Sequence, residues 1–145
     1  MALNLLLADD DQDDCMFFKE ALEELLGESF LTTVNDGEEL MELLSTNHDT
    51  LPDLLFLDLN MPRKNGFECL SEIKLNERLR SLPVVVFSTS FDRDVIDMLY
   101  ENGAQHYIRK PGEFSGLKKA LQEALKITCR TNPPRPSKEN FVIQV

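Results

Sequence analysis

Pro52-Asp53-Leu54-Leu55-Phe56-Leu57-Asp58-Leu59-Asn60-Met61-Pro62-Arg63-Lys64-Asn65-Gly66 sets one carboxylate, Asp58, at the end of an unbroken apolar segment. Leu54 to Leu57 is a short continuous apolar run, which suits a strand buried on both faces of a parallel sheet better than a half-exposed one. Met61-Pro62 ends it, because proline lacks the N–H that a strand ladder needs. A charge is rarely left unpaired inside such a strand, so Asp58 is expected at the strand's C-terminal lip. That lip is where open α/β sheets bind ligands.

The same change from apolar to polar recurs on both sides of this stretch. Asn4 to Ala8 is an apolar run that gives way at once to Asp9-Asp10-Asp11-Gln12-Asp13-Asp14. Carboxylates from Asp11 to Asp14 can cap a helix, and Phe18, Ala21, Leu22, Leu25 and Leu26 keep helical spacing up to a natural C-cap at Gly27. Phe30 to Val34 reads as a strand, and the turn Asn35-Asp36-Gly37 leads to a helix carrying Leu40, Met41, Leu43 and Leu44. After the central strand, Phe67, Leu70 and Ile73 mark a third helix. Val84 to Phe87 is a β-branched strand that turns polar at Ser88-Thr89-Ser90, and Asp92 to Glu101 is a helix with Gly103 at its C-cap. His106 to Arg109 is a fifth strand closed by Lys110-Pro111, and a last helix runs from about Glu113 to Thr128 with Phe114, Leu117, Leu121, Ala124 and Leu125 on one stripe. Five βα units in alternation call for an α/β fold, a doubly wound parallel sheet with helices on both faces and right-handed crossovers. Residues 1–129 form this domain, and 130–145 read as a proline-containing tail. Within the tail, Thr131 to Asn140 is expected to be mobile, and Phe141-Val142-Ile143 is an apolar patch suited to dock on the domain or on a partner.

A length of 145 residues with 42% hydrophobic and 28% charged residues suits one ordinary globular domain. The net charge of -11 argues against nucleic acid and against anionic membrane surfaces as partners. Cys15, Cys69 and Cys129 lie far apart without metal-ligand or disulfide-framework spacing, so they are expected to be reduced thiols, Cys15 and Cys69 packed in helices and Cys129 exposed. No apolar run reaches membrane-spanning length and no secretory signal opens the chain, so a cytoplasmic protein is expected.

Polar residues stand where strands end: Asp9 and Asp10 after the first, Asp58 after the third, Ser88 after the fourth and Lys110 after the fifth. These ends share one edge of a doubly wound sheet. Three carboxylates there repel one another unless a cation joins them, and hard oxygen ligands favour Mg²⁺. A nucleophilic aspartate, a divalent cation, a lysine and a hydroxyl match phosphoryl transfer to a carboxylate. No base is required, because Asp58 is expected to be ionised at neutral pH. Singly, helix capping for Asp9 and Asp10 and a strand-end turn for Asp58 are the commoner roles; their joint placement favours a site.

Leu6-Leu7-Ala8-Asp9-Asp10-Asp11, Asp58-Leu59-Asn60-Met61-Pro62 with Asn65-Gly66, Leu82-Pro83-Val84-Val85-Val86-Phe87-Ser88, and Gly103-Ala104 with Tyr107 and Lys110-Pro111 together resemble the receiver domain of two-component response regulators, over residues 2–128. The resemblance implies a flavodoxin-like, five-stranded sheet of order 2-1-3-4-5. It implies Asp58 as phosphoacceptor, taking a phosphoryl group from a phosphohistidine on a sensor histidine kinase or phosphotransfer protein. Asp10 and Asp58 are then direct Mg²⁺ ligands, Asp9 acts through water and Asn60 offers its backbone carbonyl. Ser88 and Lys110 contact the phosphoryl group, and on phosphorylation Ser88 is drawn toward it while Tyr107 moves inward as the switch. A cis Lys110–Pro111 bond is expected on the same ground. The chain is then no enzyme beyond Mg²⁺-dependent self-phosphorylation and self-dephosphorylation. It is most similar to stand-alone regulators associated with phytochrome-type and other sensor kinases, with output by protein contact or relay, and a homodimer is compatible with it.

Four positions depart from the commonest family pattern: Ser88 for threonine, Asn65 for aspartate, Gly112 for an aromatic, and Thr89, with Asn60 and Ser90 at the mouth, for alanine. Three rival readings fit these residues less well. A haloacid-dehalogenase-like phosphatase needs an acid two residues after the nucleophile, where Asn60 stands. A flavodoxin-like cofactor binder needs a phosphate cradle where Asp9-Asp10-Asp11 would repel one. A receiver-like module that only binds partners leaves the full acidic set without a purpose. His48 and His106 read as loop or surface residues, and Tyr107, if no switch, as a partly exposed strand tyrosine.

Overall fold

In the computed structural model, which describes residues 3–27, 30–46, 51–89, 92–128 and 135–143, the apolar runs and helical stripes fall into five βα units. Strands β1 (Asn4–Ala8), β2 (Phe30–Val34), β3 (Leu54–Leu57), β4 (Val84–Ser88) and β5 (His106–Arg109) alternate with helices α1 (Gln12–Leu26), α2 (Gly37–Thr46), α3 (Gly66–Leu75), α4 (Arg93–Glu101) and α5 (Phe114–Thr128). All strand pairs are parallel. Successive strand residues point to opposite faces, so each strand supplies two cores. Leu6, Ala8, Leu55, Leu57, Val84 and Val86 pack with Leu40, Leu70, Ile73 and Leu99 from α2, α3 and α4. Leu5, Leu7, Phe56, Val85 and Phe87 pack on the other face with Phe18 and Leu22 of α1 and Leu117 and Leu121 of α5. Phe18 meets Phe56 and Phe87 edge to face at 4.8 and 5.7 Å between centroids.

A sixth strand, β6 (Val142–Ile143), pairs with β5, so the sheet order is β2-β1-β3-β4-β5-β6 and the five-stranded expectation is corrected to six. Two residues are too few to show a period, which is why the sequence displayed only an apolar patch. Phe141 is buried, its ring 5.2 Å from that of Tyr100. The Tyr107 N–H donates to the Phe141 carbonyl at 3.1 Å, and His106 Nδ1 lies 3.0 Å from the same oxygen. The guanidinium of Arg135 sits 4.3 Å from the Tyr100 ring centroid, the Tyr100 hydroxyl donates to the Pro136 carbonyl at 3.1 Å, and Lys138 pairs with Asp97 at 3.3 Å. The mobile-tail reading is therefore corrected for residues 135–140: Arg135, Pro136 and Lys138 contact Tyr100 and Asp97 of α4, and Asn140 contacts His106 of β5. The surface reading of His106 is corrected too, because β6 covers it. His48, Ser90, Cys129 and residues 131–134 lie outside the described residues.

Two glycines admit the close approach that brings the β3–α3 loop back over the sheet edge. A Cβ at Gly66 would stand 2.5 Å from the Asp58 carbonyl oxygen, and one at Gly37 would collide with that of Lys64. Asn65 ends this loop as the N-cap of α3. Its side chain accepts from the Glu68 N–H at 3.0 Å while Glu68 accepts from the Asn65 N–H at 3.1 Å, a capping box that starts α3.

Candidate functional site

Three site residues take their position from the last bond of a ladder. The Asp9 N–H donates to the Val34 carbonyl at 3.0 Å, the Asp58 N–H to that of Ala8 at 2.9 Å and the Lys110 N–H to that of Ser88 at 2.8 Å. Each is the first residue beyond its strand, so its backbone is fixed by the sheet while its side chain stands at the C-terminal edge. Asp9 is held further by its carbonyl, which accepts from Asn35 Nδ2 at 3.2 Å and Cys15 Sγ at 3.5 Å.

The edge gathers carboxylates around one ammonium. Lys110 Nζ lies 2.7 Å from Asp14 Oδ2, 2.8 Å from Asp9 Oδ2 and 3.6 Å from Asp58 Oδ2. Oxygens of Asp9, Asp10 and Asp58 all lie within 4.8 Å of one another, with Asp9 and Asp58 buried and Asp10 exposed. Asp9 Oδ1 accepts the Asp11 N–H at 3.0 Å. Asp9 Oδ2 is buried and faces the ammonium off hydrogen-bond geometry, so it has an ion partner but no hydrogen bond among the described residues.

Burial drives the charges of this cluster. It pushes the Asp58 carboxyl up to about 6, against the pull of Lys110, with the Asp9 charge adding to the rise and the Asn60 N–H opposing it. Asp9 is raised as well, again mainly by burial. Burial also works against the charge of Lys110, but the hydrogen bond to Asp14 and the ion pairs with Asp9 and Asp58 outweigh it and hold the ammonium well above the ordinary lysine range. Three clustered carboxylates with one shared ammonium, hard donors throughout, and a buried oxygen without a hydrogen bond form a set that fits a hard divalent cation.

Ser88 and Tyr107 are fully buried beside this edge on neighbouring strands. Burial raises the Tyr107 phenol, while a side-chain hydrogen bond with Ser88 opposes the rise. The partly exposed reading of Tyr107 is thus corrected, and the ring already lies inward. The Lys110–Pro111 bond is trans, the ordinary state for such a bond, which corrects the cis expectation. Thr89 and Asn60 are exposed. Gly112 is exposed with open space around it, and Phe114 takes its place at the start of α5, half-buried against the core. Cys15 and Cys69 are buried with thiols pushed up by burial to about 11 and about 12, as inert packing residues.

Asp14 was not singled out from the sequence as a site residue. An acidic residue in a first helical turn is equally explained by capping, and only the structure separates the roles: Asp11 caps α1, accepting from the N–H groups of Asp13 and Asp14 at 2.9 and 3.1 Å, while the Asp14 side chain turns to Lys110.

A family described as the response regulator receiver domain matches residues 5–122. Response regulator Rcp1 of Synechocystis is 34% identical over 122 residues, covering 81% of this chain and 83% of Rcp1. The probable methanogenesis regulatory protein FilR2 of Methanothrix harundinacea is also 34% identical over 122 residues, covering 82% of this chain and 79% of FilR2. Among solved structures, the phosphorylated cyanobacterial phytochrome response regulator RcpA superposes with a TM-score of 0.82 at 34% identity, covering 92% of this chain and 100% of that one. The Mn²⁺-bound form of Rcp1 gives 0.78 at 30%, covering 92% and 99%. No helix among the described residues is long and apolar enough to cross a membrane. Matched by the family over residues 5–122 and sharing its fold with these relatives, this chain belongs to the response regulator receiver domain family of two-component systems.

Proposed function

We propose that Asp58 accepts a phosphoryl group from a phosphohistidine on a sensor histidine kinase or histidine phosphotransfer protein, and that the chain signals by a conformational switch or by passing the group on. The observation that carries this reading is the Asp58 carboxylate, buried at the strand end with Lys110 at 3.6 Å and with oxygens of Asp9 and Asp10 within 4.8 Å. At about 6 the Asp58 carboxyl is mostly ionised at neutral pH, so it attacks without a base. One of its oxygens forms the new bond to phosphorus as the bond from phosphorus to the imidazole nitrogen breaks, and the imidazole leaves with the electron pair and takes up a proton. Lys110 and the Ser88 hydroxyl receive the transferred oxygens. Asp9, Asp10, Asp58 and the Asn60 carbonyl would hold Mg²⁺, which when bound neutralises the carboxylates and the charge on the phosphoryl oxygens. Water later cleaves the bond between phosphorus and Asp58, past Asn60 and Thr89 at the exposed mouth, returning the carboxylate and inorganic phosphate. Beyond that self-phosphorylation and self-dephosphorylation the chain performs no turnover.

Tyr107 lies inward against Ser88 already, so phosphorylation acts by favouring this arrangement over an outward one, and β5 carries the change to α4 and β6. Phe17, about half exposed on α1 and lining one cavity with Lys110, gives the donor protein an apolar place to dock. We place the protein in the cytoplasm, where such kinases present their phosphohistidines, with neither nucleic acid nor membrane as partner and with a homodimer as one form of output. Intact mass after incubation with Mg²⁺ and acetyl phosphate tests the reading. One phosphoryl adduct is expected in wild type and none in Asp58→Asn or with EDTA. No adduct, even with phosphorylated kinases, would leave a module that only binds partners.

A further inference from the structure

Resting on that reading of the site, we infer that Asp14 is a positioning residue for Lys110: it is the seat that keeps the ammonium in the site when a divalent cation takes Asp9 and Asp58. The ammonium has three carboxylate partners, Asp14 at 2.7 Å, Asp9 at 2.8 Å and Asp58 at 3.6 Å. Asp9 and Asp58 belong with Asp10 to the group whose oxygens lie within 4.8 Å of one another, and Asp14 does not. A cation and an ammonium compete for the same carboxylate oxygens and repel each other across them. Cation loading therefore weakens two of the three contacts of Lys110 and spares the shortest.

Asp14 is free for this role because Asp11 performs the capping of α1. The Lys110 side chain is only 10% exposed and its Nζ stands 5.5 Å from the Phe87 ring centroid, so the ammonium has little room to retreat into water. Without Asp14 it must either stay on Asp9 and oppose the cation or leave the site. Either way the cation binds less well, by repulsion in the first case and by the cost of expelling the ammonium in the second, and the ammonium is not placed for the phosphoryl oxygens.

Calorimetric titration of the full chain with Mn²⁺ tests this in wild type, Asp14→Ala, Lys110→Met and the double variant. Asp14→Ala is expected to weaken Mn²⁺ binding roughly 5- to 10-fold when Lys110 is present and less than about 2-fold in the Lys110→Met background, the coupling expected of directly contacting residues. Asp14→Asn, which keeps an oxygen acceptor without the charge, is expected between wild type and Asp14→Ala. Equal losses in the two backgrounds would show a charge acting through space, and an unchanged affinity would show that Lys110 needs no second seat; either overturns the proposal. Acetyl phosphate labelling of the same four proteins separates it from the reading it rests on. Coupled Mn²⁺ binding without any adduct in wild type, from acetyl phosphate or from phosphorylated kinases, would refute phosphoryl transfer and leave the role of Asp14 standing, whereas an adduct with uncoupled Mn²⁺ binding would do the reverse. Absence of Mn²⁺ binding in wild type would remove the positioning role outright.

Discussion

Asp58 is a buried acid whose carboxyl is pushed up to about 6 from an ordinary value of 3.8, so the folded chain prefers it protonated and the unfolded chain does not. The native state thus binds more protons than the unfolded state between those two values, and stability is lost as pH rises through that window. The rise from 3.8 to about 6, at about 1.4 kcal/mol per tenfold change in proton affinity, bounds the loss at about 3 kcal/mol at pH 7, before any cation binds. Replacing the charge removes it. In chelated buffer, Asp58→Asn is expected to be more stable than wild type by about 1–3 kcal/mol at pH 7, with the gain shrinking toward zero near pH 4. Urea unfolding at the two pH values measures this, and a gain as large at pH 4 as at pH 7 would assign it to packing. Asp9, Asp10, Asp58 and Lys110 were legible in the sequence because each stands one or two residues past the apolar part of a strand, and the fold turns that position into a shared edge. Asp14 and the inward state of Tyr107 were not, since both depend on which way a side chain turns.

At the scale of elements, the five βα units could be read because each has enough residues to show a period, and the structure reproduces their order and nearly their bounds. Strand β6 could not, because Val142–Ile143 carries no period and its partner is 35 residues away. Its anchor is Phe141 with the carbonyl that receives both the Tyr107 N–H and His106 Nδ1. Burial in the folded chain lowers the His106 imidazole, against the backbone contacts of Phe141 and Asn140 and the charge of Glu123 on α5, so the fold with β6 in place favours the neutral ring. Docking is therefore fully present above the unfolded value of about 6.5 and weakens as pH falls below it toward the lowered folded value. Hydrogen exchange at the Tyr107 amide, corrected for its intrinsic pH dependence, is expected to lose protection from pH 7.5 to pH 5.5 in wild type but not in His106→Gln. Phe141→Ala is expected to remove that protection at both pH values. Its cost in global stability should stay below the about 3–5 kcal/mol of a central Phe→Ala change, because the short tail can undock first. Loss of the whole 3–5 kcal/mol would make β6 part of the cooperative core instead.

For the whole molecule, the two apolar layers hold the sheet together while the electrostatics at one edge oppose them. The chain carries -11 net charge, and this edge concentrates it in three carboxylates within 4.8 Å with one shared ammonium. Two kinds of cation effect follow, and they differ in concentration and in place. Screening by NaCl relieves the diffuse repulsion at ionic strengths near 0.1 M, where the Debye length is about 10 Å. A divalent cation bound at the edge relieves the local repulsion and stabilises by mass action, by about 2.7 kcal/mol at 100 times its Kd. For a chain of this size each kcal/mol moves Tm by about 2–4 °C. Thermal unfolding of wild type is thus expected to shift upward by roughly 5–10 °C with saturating Mg²⁺ beyond the shift given by NaCl of equal ionic strength. Asp9→Asn and Asp58→Asn should begin higher in chelated buffer, keep the NaCl response and lose most of the additional Mg²⁺ response. If the variants keep that additional response in full, the cation acts on the diffuse charge of the surface and the strand-end carboxylates are not its seat.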